Sequence, residues 1–100
     1  MNILNFDTLA SVTTSAIKVP AGYVEALERG IVDALPYEIT IETTATAQIE
    51  GRISAAHAWI IIGASVTATA GGILTVAMPE MRLNCTSWGA GDVDASILLP

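Results

Sequence analysis

The sequence predicts an α+β fold dominated by sheet, and three observations carry that expectation. Residues 20–34 follow a helical period, residues 38–53 alternate strictly in twos, and a glycine pair splits an uncharged, β-rich run at 64–78. Together they suggest one helix packed on an antiparallel sheet that is shared between subunits.

Pro20 suits the first turn of a helix, because its missing N–H would be unpaired there anyway. Val24, Leu27, Ile31 and Leu35 then recur at spacings of three and four, which places them on one face. Glu25 and Arg29 form a favourable i, i+4 pair, and Pro36 disfavours helical geometry at Leu35. Gly30 weakens this helix by about 1 kcal/mol relative to alanine, so docking of its apolar face must help to hold it.

From Glu38 the period becomes two. Ile39, Ile41, Thr43, Ala45, Ala47, Ile49, Gly51 and Ile53 fall on one face, and Glu38, Thr40, Glu42, Thr44, Thr46, Gln48, Glu50 and Arg52 on the other. That is the signature of a strand with one buried and one hydrated face. At about 3.3 Å per residue an unbroken strand here would reach roughly 50 Å, beyond the roughly 35 Å diameter of a compact chain of this size. The strand must therefore bend, at Gly51 or at Thr43-Thr44, or project and pair with a neighbouring subunit.

Residues 53–79 contain no Asp, Glu, Lys or Arg. Gly71-Gly72 can supply the positive φ angles of a two-residue turn, so 64–78 reads as a hairpin with Val66 opposite Ala77 and Ala70 opposite Ile73. Neither face of it is polar, which again calls for a partner. After Pro79, residues 80–85 suggest a last strand with Met81, Leu83 and Cys85 inward. The expected organisation is an arm at 1–19, a single small domain at 20–88, and a loop with an apolar tail at 89–100.

The composition supports association. The chain has 52% hydrophobic and 14% charged residues, whereas an ordinary soluble domain carries about 25% charged. Apolar surface left exposed by such a balance usually marks contact with protein or membrane. The net charge is −6, and Lys18, Arg29, Arg52 and Arg82 are the only basic residues. They form no cluster able to neutralise several phosphates, so direct nucleic-acid binding is not expected. The first residues have no basic stretch and Asp7 interrupts their apolar run, so they do not read as a signal peptide.

Candidate chemistry is sparse. His57 sits among alanines with no second ligand at metal-binding spacing, which favours a structural histidine. Cys85 served by His57 as a base would be a nucleophile outside any recognisable motif, and a lone apolar cysteine is more often a small hydrophobe. Asp92 and Asp94 lie in a glycine-rich loop without the full calcium-loop pattern. Asn84-Cys85-Thr86 fits a glycosylation sequon by chance alone, and Gly89-Ala90-Gly91 is a turn. No enzyme, metal or cofactor is expected. The alternative is a small membrane protein, because Trp59 to Met78 is an uncharged stretch of about the 20 residues a helical span needs.

The segment Val19-Pro20-Ala21-Gly22-Tyr23-Val24-Glu25-Ala26-Leu27 resembles the Pro-x-Gly-Tyr-x-x-Ala-Leu helix start of tailed-bacteriophage head-to-tail connector proteins. The acidic, lysine-poor composition rich in Ala, Thr, Gly and Ile is similar to that of small virion proteins generally. Membership would imply a ring, tube or capsid-surface assembly located in the virion, without a cofactor. The expected function is therefore a self-assembling structural subunit, a connector, tail or decoration component whose partners are its own copies and other structural proteins. The residues expected at its interfaces are Ile39, Ile41, Ile49, Ile53, Val66, Ile73, Val76, Leu98 and Leu99.

Overall fold

In the computed structural model of the chain, residues 2–19, 35–74 and 78–99 are described, and every regular element among them is a strand. The eight strands are β1 (Asn2–Asn5), β2 (Thr14–Lys18), β3 (Leu35–Ile41), β4 (Thr44–Arg52), β5 (Ile60–Ile61), β6 (Ala70–Leu74), β7 (Glu80–Ala90) and β8 (Val93–Leu99). They form two four-stranded antiparallel sheets: sheet A in the order β1-β8-β3-β6 and sheet B in the order β2-β7-β4-β5. Each odd-numbered strand occupies the same place in its sheet as the even-numbered strand that follows it does in the other. This is the connectivity of an eight-stranded jelly roll, in which two Greek keys wrap one apolar core.

The expected α+β class is thus corrected to all-β. No helix occurs among the described residues, and the segment expected to be helical, 20–34, lies outside them. The single long strand at 38–53 is also corrected. The chain leaves sheet A at Ile41, turns through Glu42 and Thr43, and enters sheet B at Thr44. An unbroken strand of roughly 50 Å at ~3.3 Å per residue would not fit a molecule whose longest extent is 40 Å. Of the two expected outcomes the chain therefore bends, beside Thr43-Thr44. Gly51 instead lies inside β4, where a Cβ would meet the Met78 sulfur at 3.0 Å and Ile62 Cδ1 at 3.2 Å.

The Gly-Gly hairpin is overturned as well. Gly71 and Gly72 are interior residues of β6, which pairs with β3 through Tyr37↔Gly72 and Glu38↔Gly71. The glycines serve close approach, since a Cβ on Gly72 would lie 2.7–2.8 Å from atoms of the Tyr37 ring. Val66 bridges Ala47 of β4, and its expected partner Ala77 lies outside the described residues. The segments read as arm and tail carry β1, β2 and β8, and β8 is an interior strand flanked by β1 and β3.

Alternation of side chains fills the space between the sheets. Leu35, Ile39 and Ile41 of β3, Ile49 of β4, and Val93 and Ile97 of β8 point inward, together with Met81, Leu83 and Cys85 of β7 as expected. Phe6 and Leu9 close one end, tied by Phe6 N–H to the Ala95 carbonyl at 3.0 Å and by reciprocal Leu9–Val93 bonds at 2.9 and 2.8 Å. At that end the β3–β4 and β7–β8 crossings lie side by side. Gly91 adopts φ 81°, where a Cβ would sit 2.6 Å from Thr43 Oγ1.

Candidate functional site

The pairing registers give the sandwich two distinct ends. At the Gly91 end gather the turns bearing Asp7, Glu42 and Asp92, with Asp94 at the start of β8, all exposed or half-buried. At the opposite end β3 begins at Leu35, β6 and β8 finish at Leu74 and Leu99, and Arg52 pairs with Glu80. Among the described residues most of the exposed aliphatic ones collect toward this Leu35 end: Ile3, Ile53, Ile60, Ile61 and Ile73 are 60%, 61%, 51%, 56% and 63% exposed. Val12, on the turn before β2, is the exception.

On sheet A the apolar residues form a lateral row. Ile3 of β1 lies opposite Leu98 of β8, Leu98 is level with Pro36 of β3, and Pro36 is opposite Ile73 of β6. The row thus crosses all four strands on the outer face. A shallow depression of about 300 Å³ lies along it, lined by Ile3, Pro36, Leu98, Ser96 and Glu38. The next row, Asn5, Ser96, Glu38 and Gly71, is polar, with the Ser96 hydroxyl donating to Asn5 Oδ1 at 2.6 Å.

On sheet B the outer face carries a ladder of charged and amide side chains. Glu50 sits at its centre and accepts from Arg82 Nε at 2.6 Å, Gln48 Nε2 at 2.6 Å and Asn84 Nδ2 at 3.0 Å. Burial by itself would raise the pKa of this carboxyl, but the bonds from Asn84, Gln48 and Arg82, with the Arg82 charge, outweigh burial and hold it below the ordinary glutamate range. One step along, Arg52 grips Glu80 through Nε at 3.1 Å and Nη2 at 3.4 Å. Above both arginines lies Trp59, whose ring centre is 4.3 Å from the Arg52 guanidinium carbon and 4.6 Å from that of Arg82. Such contacts are attractive because the ring face carries negative quadrupole density.

The consequence is positional. The ladder anchors the chain between β4 and β5, residues 53–59, over the end of sheet B, and Ile53, His57, Ala58 and Ile60 border a second open depression of about 280 Å³. Among the described residues no buried side-chain polar atom lacks a hydrogen-bond partner. The ladder's hydrogen bonds join side chains of β4 and β7, and its two arginines meet the loop through the Trp59 ring.

The structure separates the candidate chemical groups. His57 is exposed on the loop, with Nδ1 2.8 Å from Ser54 Oγ and its backbone N–H donating to the Ser54 carbonyl. Cys85 is fully buried in the core, where desolvation pushes its thiol pKa up against a bond to the Ser87 carbonyl that acts the other way. Asn84 of the sequon is engaged with Glu50, and Asp94 accepts from the Thr8 hydroxyl. No group of three or more His, Cys, Asp or Glu able to hold a metal occurs among the described residues. Residues 59–74 form β5, the Val66 bridge and β6, and no helix of the described residues is long and apolar enough to cross a membrane.

Of the residues expected at interfaces, Ile39, Ile41 and Ile49 belong to the core, so they are corrected to packing residues. Ile53 and Ile73 are exposed, Val66 and Leu98 are half-buried, Leu99 pairs with Asn2 at the end of β8, and Val76 lies outside the described residues. The Glu face of 38–53 divides: Glu38 and Glu42 are exposed, but Glu50 is buried beneath the ladder. Sequence reading missed Glu50, Arg82 and Trp59 as a unit. Its only trace is the shared parity of Gln48, Glu50 and Arg52 with that of Glu80, Arg82 and Asn84. No family model matches the sequence, and no curated protein or solved structure is similar enough to count as a match.

Proposed function

We propose that this chain is a non-enzymatic structural subunit that self-assembles into a larger particle, with a bacteriophage virion as the setting. The observation that carries this reading is the collection of more-than-half-exposed isoleucines at the Leu35 end. Exposed apolar surface rimmed by polar groups marks association sites. Here one part of that surface is also held rigid by the Glu50–Arg82–Trp59 arrangement, so little ordering entropy is left to lose on contact.

Two further features support the reading. The acidic turns at Asp7, Glu42 and Asp92 sit at the opposite end, away from that apolar surface. The jelly roll is an architecture of viral capsid domains, as it is of lectins and cupins, and the virion setting rests on that analogy with the sequence resemblance.

Sedimentation velocity on the purified chain tests the proposal. The expected result is a species of several times 10.4 kDa that grows with concentration. A wild-type chain that sediments as a monomer throughout the micromolar range refutes it.

A further inference from the structure

We propose that copies of this chain join head to tail by pairing the β6 edge of one copy with the β1 edge of the next, so that sheet A runs on through the assembly. The inference rests on the self-assembly reading and supplies its contact.

The two edges of sheet A lack the features that normally keep edges apart. Natural edge strands are made very short, or carry lysine, proline or bulges, to prevent pairing with another chain. β1 reads Asn-Ile-Leu-Asn and β6 reads Ala-Gly-Gly-Ile-Leu, with no charge and no proline in either. Among the described residues neither has a second neighbour. Sheet B differs: its edges are the two-residue β5 and β2, which carries Lys18.

Strand direction fits as well. β1 and β3 run one way and β8 and β6 the other, because every pair in the sheet is antiparallel. A second copy moved sideways without turning over therefore brings its β1 antiparallel to β6 of the first. The connection is the same kind as the three already inside the sheet.

Register then follows from the faces. Setting Ile73 opposite Ile3 of the next copy sets Gly72 opposite Leu4 and Gly71 opposite Asn5. Ile73, Gly71, Ile3 and Asn5 belong to the outer face, Gly72 and Leu4 to the inner. Ile73 and Ile3 are the two ends of the apolar row and are 63% and 60% exposed. Joining them makes the row continuous from copy to copy and removes both ends from water. The glycines of β6 leave room for close approach of a second backbone. The contact is heterologous, so it generates a ring or a helical row as the twist of the sheet accumulates.

The test uses Ile3→Lys and Ile73→Lys in the full chain, each checked for retained sheet by circular dichroism and analysed by sedimentation alone and mixed in equal amounts. Each variant has one blocked and one intact edge. The expectation is assembly for wild type, monomer for each variant alone, and a dimer in the mixture, where β6 of the first variant meets β1 of the second. A variant that dimerises alone overturns the head-to-tail contact in favour of a two-fold one. Variants that assemble as wild type does overturn edge pairing while leaving self-assembly standing, and a monomeric wild type overturns both. If a lysine variant does not fold, Ile3→Thr and Ile73→Thr give the same comparison with a smaller loss of mass.

Discussion

Replacing Glu50 by glutamine keeps the shape of the side chain and removes the charge on which three donors converge. The carboxylate receives Arg82, Gln48 and Asn84 at 2.6, 2.6 and 3.0 Å and is 7% exposed, while its partner Arg82 is 23% exposed. In Glu50→Gln one oxygen becomes an NH₂ facing a donor, and the remaining bonds lose their charge assistance. Hydrogen bonds to charged groups contribute about 1.5–3 kcal/mol, and partial hydration of Arg82 limits the penalty, so a loss of about 2–3 kcal/mol near pH 7 is expected. For a chain of this length that is a fall in Tm of roughly 10–20 °C. The pH dependence carries the sharper test. The Glu50 pKa is lower folded than unfolded, so its contribution is complete above the unfolded glutamate value, near ~4.3, and disappears as pH falls through the folded value. Urea unfolding of wild type and Glu50→Gln, followed by tryptophan fluorescence at one protein concentration, should show a wide stability gap at pH 7 that closes below about pH 4. A gap that stays constant down to pH 3, or is absent at pH 7, refutes the ladder as a charge-dependent clamp.

Trp59→Ala removes the ring above Arg52 and Arg82 and should cost about 1–2 kcal/mol. Its clearer effect is faster limited proteolysis between residues 53 and 59, and an unchanged cleavage rate would dissociate the loop from the ladder. Gly72→Ala drives a Cβ against the Tyr37 ring at 2.7–2.8 Å and should destabilise by about 1–3 kcal/mol. Equal denaturation midpoints would mean the ring moves aside freely. Cys85, buried and with its thiol pKa raised, should react with a thiol reagent only at the rate of unfolding. Rapid labelling of the native protein would contradict the packing of β7 into the core.

Much of the sheet was legible in the sequence and its connectivity was not. The alternation at 38–53 identified the inward faces of both β3 and β4, because side-chain parity survives the turn at Glu42-Thr43. It could not show that those faces belong to opposite sheets. Pro36 read as a helix stop but sits inside β3, where β8 and β6 flank it. Gly71-Gly72 has turn chemistry, yet the pair lies in a strand because Tyr37 needs a neighbour without a side chain. β8 read as a tail since the aspartates at 92 and 94 mask its start, although Val93, Ala95 and Ile97 keep the period of two.

The interfaces illustrate the same limit. Ile39, Ile41 and Ile49 were expected to meet other subunits, and they meet the opposite sheet of their own chain instead. Ile73 and Leu98 share the outer row with Ile3 and Pro36 only through strand pairing, which no local pattern encodes. Likewise Glu50 and Arg82 stand 32 residues apart and become neighbours through the β4–β7 register.

Cross-linking a chain that carries both Ile3→Cys and Ile73→Cys tests assembly through a shared sheet most directly. The two positions lie three strand spacings apart within one subunit, roughly 14 Å at ~4.8 Å per step and too far for an internal disulfide. Mild oxidation should therefore give a ladder of multiples of 10.4 kDa on a non-reducing gel. Monomer alone, or dimer with nothing larger, would contradict it.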